Sequence, residues 1–169
     1  MELTFKFSTL ILATFLTGLT AGLCFTWTNA VTTGIGRLNN LGYLQAFQQM
    51  NRAIINPLFM IVFFGPFIVH FINIILFRNS SSTVIVMLTM VAALYFLGVV
   101  LMTIFGNVPL NEVLDKTDLA KASMEDLQAL RDRFEVKWNR MHLIRTITSA
   151  LSFLLLLISL LINNKYISL

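Results

Sequence analysis

Two short polar segments, each bordering a long apolar run, contain the residue types that could do chemistry in this chain. The first holds Asn107 and Asn111, separated by Val-Pro-Leu, and the second holds Trp138, His142 and Arg145. An imidazole can move a proton, amides and a guanidinium can donate hydrogen bonds to an oxyanion, and an indole can pack against a ring. If the two segments meet at one membrane edge, they predict a pocket for a flat, apolar molecule with polar edges.

Helical spacing indicates which of these side chains can act together. His142 and Arg145 are three residues apart and therefore share one helix face, which makes them the candidate catalytic pair. The candidate substrate-binding residues are polar or aromatic side chains expected near the same edge: Gln48, Asn51, Asn107, Asn111 and Trp138.

Each of these features also has a structural interpretation. The segment around Pro109 predicts a turn at the end of the third apolar run, and the flanking asparagines could simply bond backbone groups freed by that turn. Gln48 and Asn51 could lie on a solvated helix face. Arg145 is close enough to the edge of its apolar run to extend the guanidinium toward lipid headgroups. The sequence leaves both interpretations open.

The composition indicates a membrane protein. Of 169 residues, 57% are hydrophobic and only 12% are charged, with a mean hydropathy of +0.80, whereas soluble domains carry about 25% charged residues. Four apolar runs are long enough to cross a bilayer, and the predicted spans are 7–31, 57–77, 83–105 and 141–162. The net charge of +4 forms no basic stripe, which argues against a nucleic-acid partner. We therefore predict a single four-span integral membrane domain over residues 1–169.

The fourth span is predicted to continue a polar helix without interruption. Ser123, followed by Glu125 and Asp126, supplies a hydroxyl cap and then acids near the positive helix end. Apolar residues recur every three or four positions after it: Leu127, Leu130, Phe134, Trp138 and Met141. The predicted fold is thus all-α, a four-helix transmembrane bundle with an interfacial amphipathic helix continuous with the fourth span.

The chain offers few ligands for a metal or a redox cofactor. It contains one cysteine, Cys24, which we expect to pack inside the first span, and two histidines. No Asp or Glu occurs within a predicted span, which argues against a carboxylate-bridged di-iron centre in the bundle. His70 and His142 are expected at different depths, and no phosphate-binding or dinucleotide motif occurs. We therefore predict no metal and no cofactor.

Several segments together resemble the anthrone oxygenase-like family of small four-span membrane proteins. They are Gly18 to Gly22 in the first span, Gln48-x-x-Asn51 before Asn56-Pro57, the segment from Asn107 to Asn111, and Trp138 followed by His142-x-x-Arg145-Thr146. The resemblance covers nearly the whole chain, and Asn-Val-Pro-Leu-Asn is its most specific part. It implies a four-helix membrane bundle. For some polyketide-pathway members it also implies oxygenation of an anthrone to an anthraquinone without an evident metal or flavin.

Three functions are consistent with these residues. The resemblance implies a cofactor-independent oxygenase acting on a small aromatic or quinone-like molecule. His142 stands three residues before Arg145, where the family pattern has an asparagine, so it would serve as a general base or as a hydrogen-bonding substitute. The second function is a non-catalytic membrane subunit or a lipid- or quinone-binding protein. The third is a small transporter.

The expected surroundings follow from the same features. We expect a multi-pass protein of the bacterial cytoplasmic membrane, in contact with the lipid bilayer and with a small aromatic or quinone-like ligand. The small residues of the first span and the amphipathic helix also suit contact with another membrane protein or with a second copy of the chain.

Overall fold

Helices account for nearly all of the chain that the computed structural model describes, residues 5–167, with side chains for residues 5–162. Four helices are long and apolar enough to cross a membrane, and one further helix lies between the first two of them. The helices are α1 (Phe5–Ile35), α2 (Asn40–Ile54), α3 (Pro57–Leu76), α4 (Ser82–Lys116) and α5 (Met124–Ile167). No strand occurs in the described residues. The predicted all-α, four-span fold is confirmed.

Two of the membrane-length helices contain π-helical turns, in which a backbone N–H bonds to the carbonyl five residues back. One such turn, Trp27–Val31, lies near the end of α1, and two, Phe96–Leu101 and Thr103–Asn107, lie within α4. The sequence prediction of a turn around Pro109 is wrong, because α4 continues through this segment. Pro109 is tolerated because it lies where π-helical bonding gives way to a new α-helical segment, whose first residues need no N–H donor.

The four long helices form a bundle in which α5 packs on α1 and α4, and α3 packs on the same two helices. Polar side chains bond across these contacts. The Tyr95 hydroxyl donates to the carbonyl of Phe63 at 2.7 Å, and the Thr17 hydroxyl lies 3.3 Å from Nε2 of His70. Such bonds satisfy polar groups that lipid cannot satisfy, and they orient the four helices relative to one another.

The glycines of the spans differ in what surrounds them. Gly18 of α1 packs against the ring of Phe153, but no other described part of the chain comes within 4 Å of the place that a Cβ on Gly22 would take. In α4, a Cβ on Gly98 would overlap the side chain of Thr148 on α5. Gly98, unlike Gly22, therefore lies at a contact between two spans that has no room for a side chain; Gly106 of α4 lies at a similar contact, with the flexible side chain of Met141 on α5.

A second apolar core lies at one end of the bundle. It brings together eight buried side chains from α2, from α4 and the segment after it, and from the first half of α5. We call it the cap cluster: Tyr43, Leu44, Phe47, Leu114, Leu119, Leu127, Phe134 and Trp138. The ring of Phe47 lies 4.7 Å from the rings of both Phe134 and Trp138. The apolar stripe predicted at the start of α5 is thus buried against α2. Ser123 caps α5 as predicted, its hydroxyl accepting from the N–H of Asp126.

Arg131 of α5 fixes the connection between α1 and α2 against the cap cluster. Its guanidinium donates to the carbonyls of Gly36 and Leu38, each at 2.8 Å, and pairs with Glu135 at 2.7 Å. It also lies 4.4 Å from the ring centroid of Tyr43. The two carbonyls follow the end of α1, where backbone acceptors lack a partner within the helix. One side chain therefore holds the start of α2 in place.

The hydroxyl of Tyr43 is buried in the cap cluster and has no hydrogen-bond partner among the described residues. Burial, together with the nearby carboxylate of Glu135, raises the pKa of Tyr43 above its ordinary value. We expect Tyr43→Phe to leave the free energy of unfolding unchanged or to raise it by about 1 kcal/mol, because it removes an unpaired buried polar atom. Thermal unfolding in detergent measures the change. A clear loss of stability would show that the hydroxyl has a partner, such as a buried water.

Candidate functional site

A cavity of about 310 Å³ lies between the cap cluster and the bundle. Residues of all five helices and of the connection between α2 and α3 form its walls. Most of the wall surface is apolar. Six of the seven side chains selected from the sequence line it: Asn51, Asn107, Asn111, Trp138, His142 and Arg145.

Arg145 lies in the cavity wall one turn after His142 and is only 7% exposed. Its Nη1 donates to Oδ1 of Asn107 at a long 3.4 Å, and its guanidinium lies 5.2 Å from the ring centroid of Phe63. Its Nε has no hydrogen-bond partner, and none of the ion pairs found among the described side chains includes Arg145. Because a buried cation without a counter-ion is costly, this group is available to an acceptor inside the cavity.

The imidazole of His142 is held in one orientation. Its Nε2 lies 3.1 Å from the carbonyl oxygen of Cys24, and its ring stacks on Trp138, with centroids 4.7 Å apart and planes at 18°. A carbonyl only accepts, so Nε2 must carry a hydrogen, and in the neutral imidazole Nδ1 then keeps its lone pair. Nδ1 has no partner in the described part of the chain. This nitrogen is buried, so it can accept a proton or a hydrogen bond only from a group that contacts it directly.

Asn107 and Asn111 lie four residues apart on one face of α4, and both bond to Trp138 of α5. Nδ2 of Asn107 donates to the backbone carbonyl of Trp138 at 3.2 Å, and the indole Nε1 donates to Oδ1 of Asn111 at 2.8 Å. These bonds join the two helices and fix the indole on which His142 stacks. The asparagines therefore position the aromatic wall, and Asn107 additionally accepts from Arg145.

The cavity reaches the surface between α4 and the end of α2. Exposed Ile55 and Glu112 line it there, and Arg52 of α2 pairs with Asp115 of α4 at 2.6 Å. Both members of the pair are half-exposed, so the pair contributes little to stability. Asn51 is buried beside this opening, and its Nδ2 has no partner among the described residues. The opening thus combines a charged rim with an unpaired amide.

Gln48, selected from the sequence as a substrate-binding residue, is not part of the cavity wall. Its Nε2 donates to the backbone carbonyl of Leu114 at 2.9 Å, with the carbonyls of Asp115 and Thr117 at 3.4 and 3.3 Å. These carbonyls lie at or just after the end of α4, where backbone acceptors lack their usual helical partner, although the Leu114 carbonyl also accepts from the N–H of Thr117. Gln48 therefore ties α2 to the end of α4, which is a structural role.

The cavity wall also contains Trp27 and Phe59, which were not selected from the sequence, and Cys24, which was expected to pack inside the first span. Cys24 and Trp27 continue a spacing of three and four residues that begins at Thr17 and Thr20 in α1. That stripe was an available signal for the inward face of α1. Phe59 lies in a uniformly apolar segment of α3, and no local pattern distinguishes it from its neighbours.

The described residues contain no group of three or more His, Cys, Asp or Glu side chains placed to hold a metal ion. Inside its charged rim of Arg52, Glu112, Asp115 and Lys116, the cavity offers the imidazole of His142, the guanidinium of Arg145, the amides of three asparagines and the hydroxyl of Thr103. The chemistry available to these side chains is proton transfer and hydrogen bonding to oxygen.

The chain forms a bundle of four membrane-length helices, with a polar-edged cavity beneath a helical cap. These features define its class as small helical proteins with several membrane-length helices. Residues 43–155, more than half of the chain, match the sequence model of the anthrone oxygenase family. The chain belongs to this family. The match spans the α2, α4 and α5 residues of the cavity. No curated protein and no solved structure matches the chain.

Proposed function

We propose that the chain is an oxygenase that oxidises a small anthrone-like aromatic molecule in the cavity, with molecular oxygen as oxidant and without a bound cofactor. We further propose that it acts at the edge of the bacterial cytoplasmic membrane, where apolar aromatic molecules partition. The observation that carries the proposal is the convergence on one cavity of an unpaired guanidinium, an imidazole with an unpaired nitrogen and a stacked indole. The volume of about 310 Å³ is at the lower end of the range for small-molecule sites.

In the proposed first step, Nδ1 of His142 takes a proton from the methylene carbon of the anthrone. The electron pair left on that carbon delocalises onto the ring ketone, giving an enolate. Its oxyanion accepts hydrogen bonds from the guanidinium of Arg145, which Asn107 orients. The imidazolium formed on His142 remains bonded through Nε2–H to the carbonyl of Cys24.

In the second step, the enolate reduces molecular oxygen. A carbon–oxygen bond forms at the former methylene carbon, and the imidazolium of His142 returns a proton to give a hydroperoxide. Loss of water then breaks the O–O bond and the remaining C–H bond at that carbon, leaving a second ketone. One oxygen atom ends in the anthraquinone and the other in water, so the reaction needs no further oxidant or reductant.

The test is oxygen consumption and anthraquinone formation by purified protein supplied with anthrone, corrected for the spontaneous reaction. We expect His142→Asn to slow the catalysed reaction by about a hundredfold or more, because an amide cannot take the proton. His70→Asn is the matched control, since the other histidine bonds to Thr17 in the bundle and does not line the cavity. If His142→Asn and the parent protein have equal rates, His142 is not the general base. It would then have only the hydrogen-bonding role that the asparagine of the family pattern implies.

A quinone-binding protein without turnover is the second candidate. Both tryptophans of the chain, Trp27 and Trp138, line the cavity and lie 5.6 Å apart between ring centroids, an aromatic surface suited to a flat ligand. Quenching of their fluorescence by a quinone, with no catalysed oxygen consumption on anthrone, would favour this function over the first.

A further inference from the structure

The guanidinium of Arg145 is a buried cation without a counter-ion in the cavity wall. Two carboxylates line the cavity, but Asp115 already pairs with Arg52 at 2.6 Å, and Glu112 is exposed and lies 3.5 Å from Lys116. The one hydrogen bond from Arg145 to a side-chain oxygen is the 3.4 Å bond to Asn107, and its Nε remains unpaired in the described structure. Neither carboxylate therefore neutralises Arg145.

The polar neighbours of Arg145 leave its charge uncompensated. Cys24 lies next to the guanidinium, but a thiol is a weak acceptor. The nearby Tyr95 hydroxyl, which donates to the carbonyl of Phe63, is neutral and so brings no counter-charge. A strong acceptor for this cation would have to come from a molecule in the cavity.

Asn51 supplies a second unpaired donor from a different helix. It lies on α2, is 8% exposed, and its Nδ2 has no partner in the described part of the chain. Apolar side chains, among them Leu23, Ile54 and Phe59, form the wall around these donors. The cavity thus combines one buried positive charge and unpaired N–H donors with apolar walls, a combination suited to an anion on an aromatic frame.

We infer that this cavity binds its ligand as an anion before any reaction occurs, a flat aromatic molecule whose ionised substituent oxygen (a phenolate or a carboxylate) bonds to Arg145 and whose other oxygen accepts from Asn51. The inference rests on the site of the proposed function and adds the charge state of its ligand. A neutral molecule of the same shape lacks the charge-assisted part of the interaction.

The test compares 2-hydroxy-1,4-naphthoquinone, which is ionised at neutral pH, with its neutral 2-methoxy analogue. Binding is followed by quenching of Trp27 and Trp138, the two tryptophans of the chain. We expect the ionised quinone to bind at least about tenfold more tightly, as a charged hydrogen bond predicts, and Arg145→Met to remove that difference. Asn51→Asp, which places a negative charge at the same point, should weaken binding of the ionised quinone by a similar factor and spare the neutral one.

Arg78→Met is the matched control, because Arg78 is exposed and lies between α3 and α4, outside the cavity. Partition into detergent differs between the two quinones and is measured without protein, and comparing the ratio of the two corrected affinities between variants cancels what remains. Equal affinities in the parent protein, or a preference that survives Arg145→Met, would overturn the inference. If Arg145→Met fails to fold, Asn51→Asp still decides the question, because unchanged binding of the neutral quinone shows that this variant is folded.

The measurement is made without oxygen and with quinones that are already oxidised, so it does not depend on turnover. Anion preference without catalysed oxidation of anthrone would refute the proposed function and leave the inference intact. Catalysed oxidation with equal binding of the two quinones would refute the inference alone.

Discussion

Arg145→Met is expected to slow the oxidation of anthrone by about a hundredfold to a thousandfold, while the folded protein becomes no less stable. The guanidinium is the buried positive charge of the cavity, so its loss removes hydrogen bonds from the oxyanion at the point where charge develops. Without ligand, the same group is a buried charge whose polar contacts are a long bond to Asn107 and the weakly accepting thiol of Cys24, which disfavours the folded state. Activity and stability should therefore change in opposite directions.

Arg145→Lys separates charge from geometry at this position. The ammonium keeps the charge but lacks the planar fork that contacts Asn107 and the ring of Phe63, so we expect an intermediate rate. Initial rates of anthraquinone formation and thermal unfolding in the same detergent measure both quantities. Unchanged turnover in Arg145→Met, or a large drop in its unfolding temperature, would contradict this account of the residue.

Gly98→Ala is expected to destabilise the bundle by about 1–3 kcal/mol, the usual cost of adding atoms to a packed contact. The new methyl group would overlap the side chain of Thr148 on α5. Thr148 is β-branched and lies within a helix, so its side chain has few alternative rotamers, and α4 and α5 must move apart instead. Gly22→Ala is the matched control, because the same methyl group on α1 meets open space.

A compensating substitution tests whether the contact itself is the cause. Thr148→Gly removes the atoms that the new methyl group would meet, and its hydroxyl bonds only within α5. The double variant should therefore be more stable than Gly98→Ala alone, a non-additive result that unfolding in one detergent can measure. If Gly98→Ala and Gly22→Ala prove equally stable, the glycine does not set the distance between the two helices.

The start of α5 shows what local pattern predicts well. Ser123 and the apolar residues that follow at helical spacing define the beginning of the helix and its apolar face, and both expectations are confirmed. That this face packs on α2 comes from the structure alone. Gln48 and Asn51 show the limit. They lie one turn apart and were selected together, but Gln48 bonds to the end of α4 while Asn51 lines the cavity. Which of the two side chains faces the cavity depends on the angle at which α2 packs on α4 and α5. No single residue of α2 specifies that angle.

The segment around Pro109 shows a second limit. An asparagine-flanked proline favours a turn in isolation, yet here α4 remains helical because two π-helical turns precede the proline and both asparagines bond to Trp138. Those bonds come from a helix 27 or more residues further along the chain. Tertiary contacts of this kind override the preference of the isolated segment for a turn, because local conformational preferences contribute little free energy.

Hydropathy and helical spacing by themselves determined the four membrane-length helices, the continuity of the fourth one with the polar helix before it, and the residue types able to do chemistry. The reason is that a helix in lipid must form all its backbone hydrogen bonds internally and present apolar side chains to the lipid. Only the tertiary structure decided that Trp27 and Phe59 share a cavity with His142 and Arg145, and that no carboxylate among the described side chains pairs with the guanidinium. These are contacts between residues far apart in sequence. They depend on how the helices pack, which local periodicity does not specify.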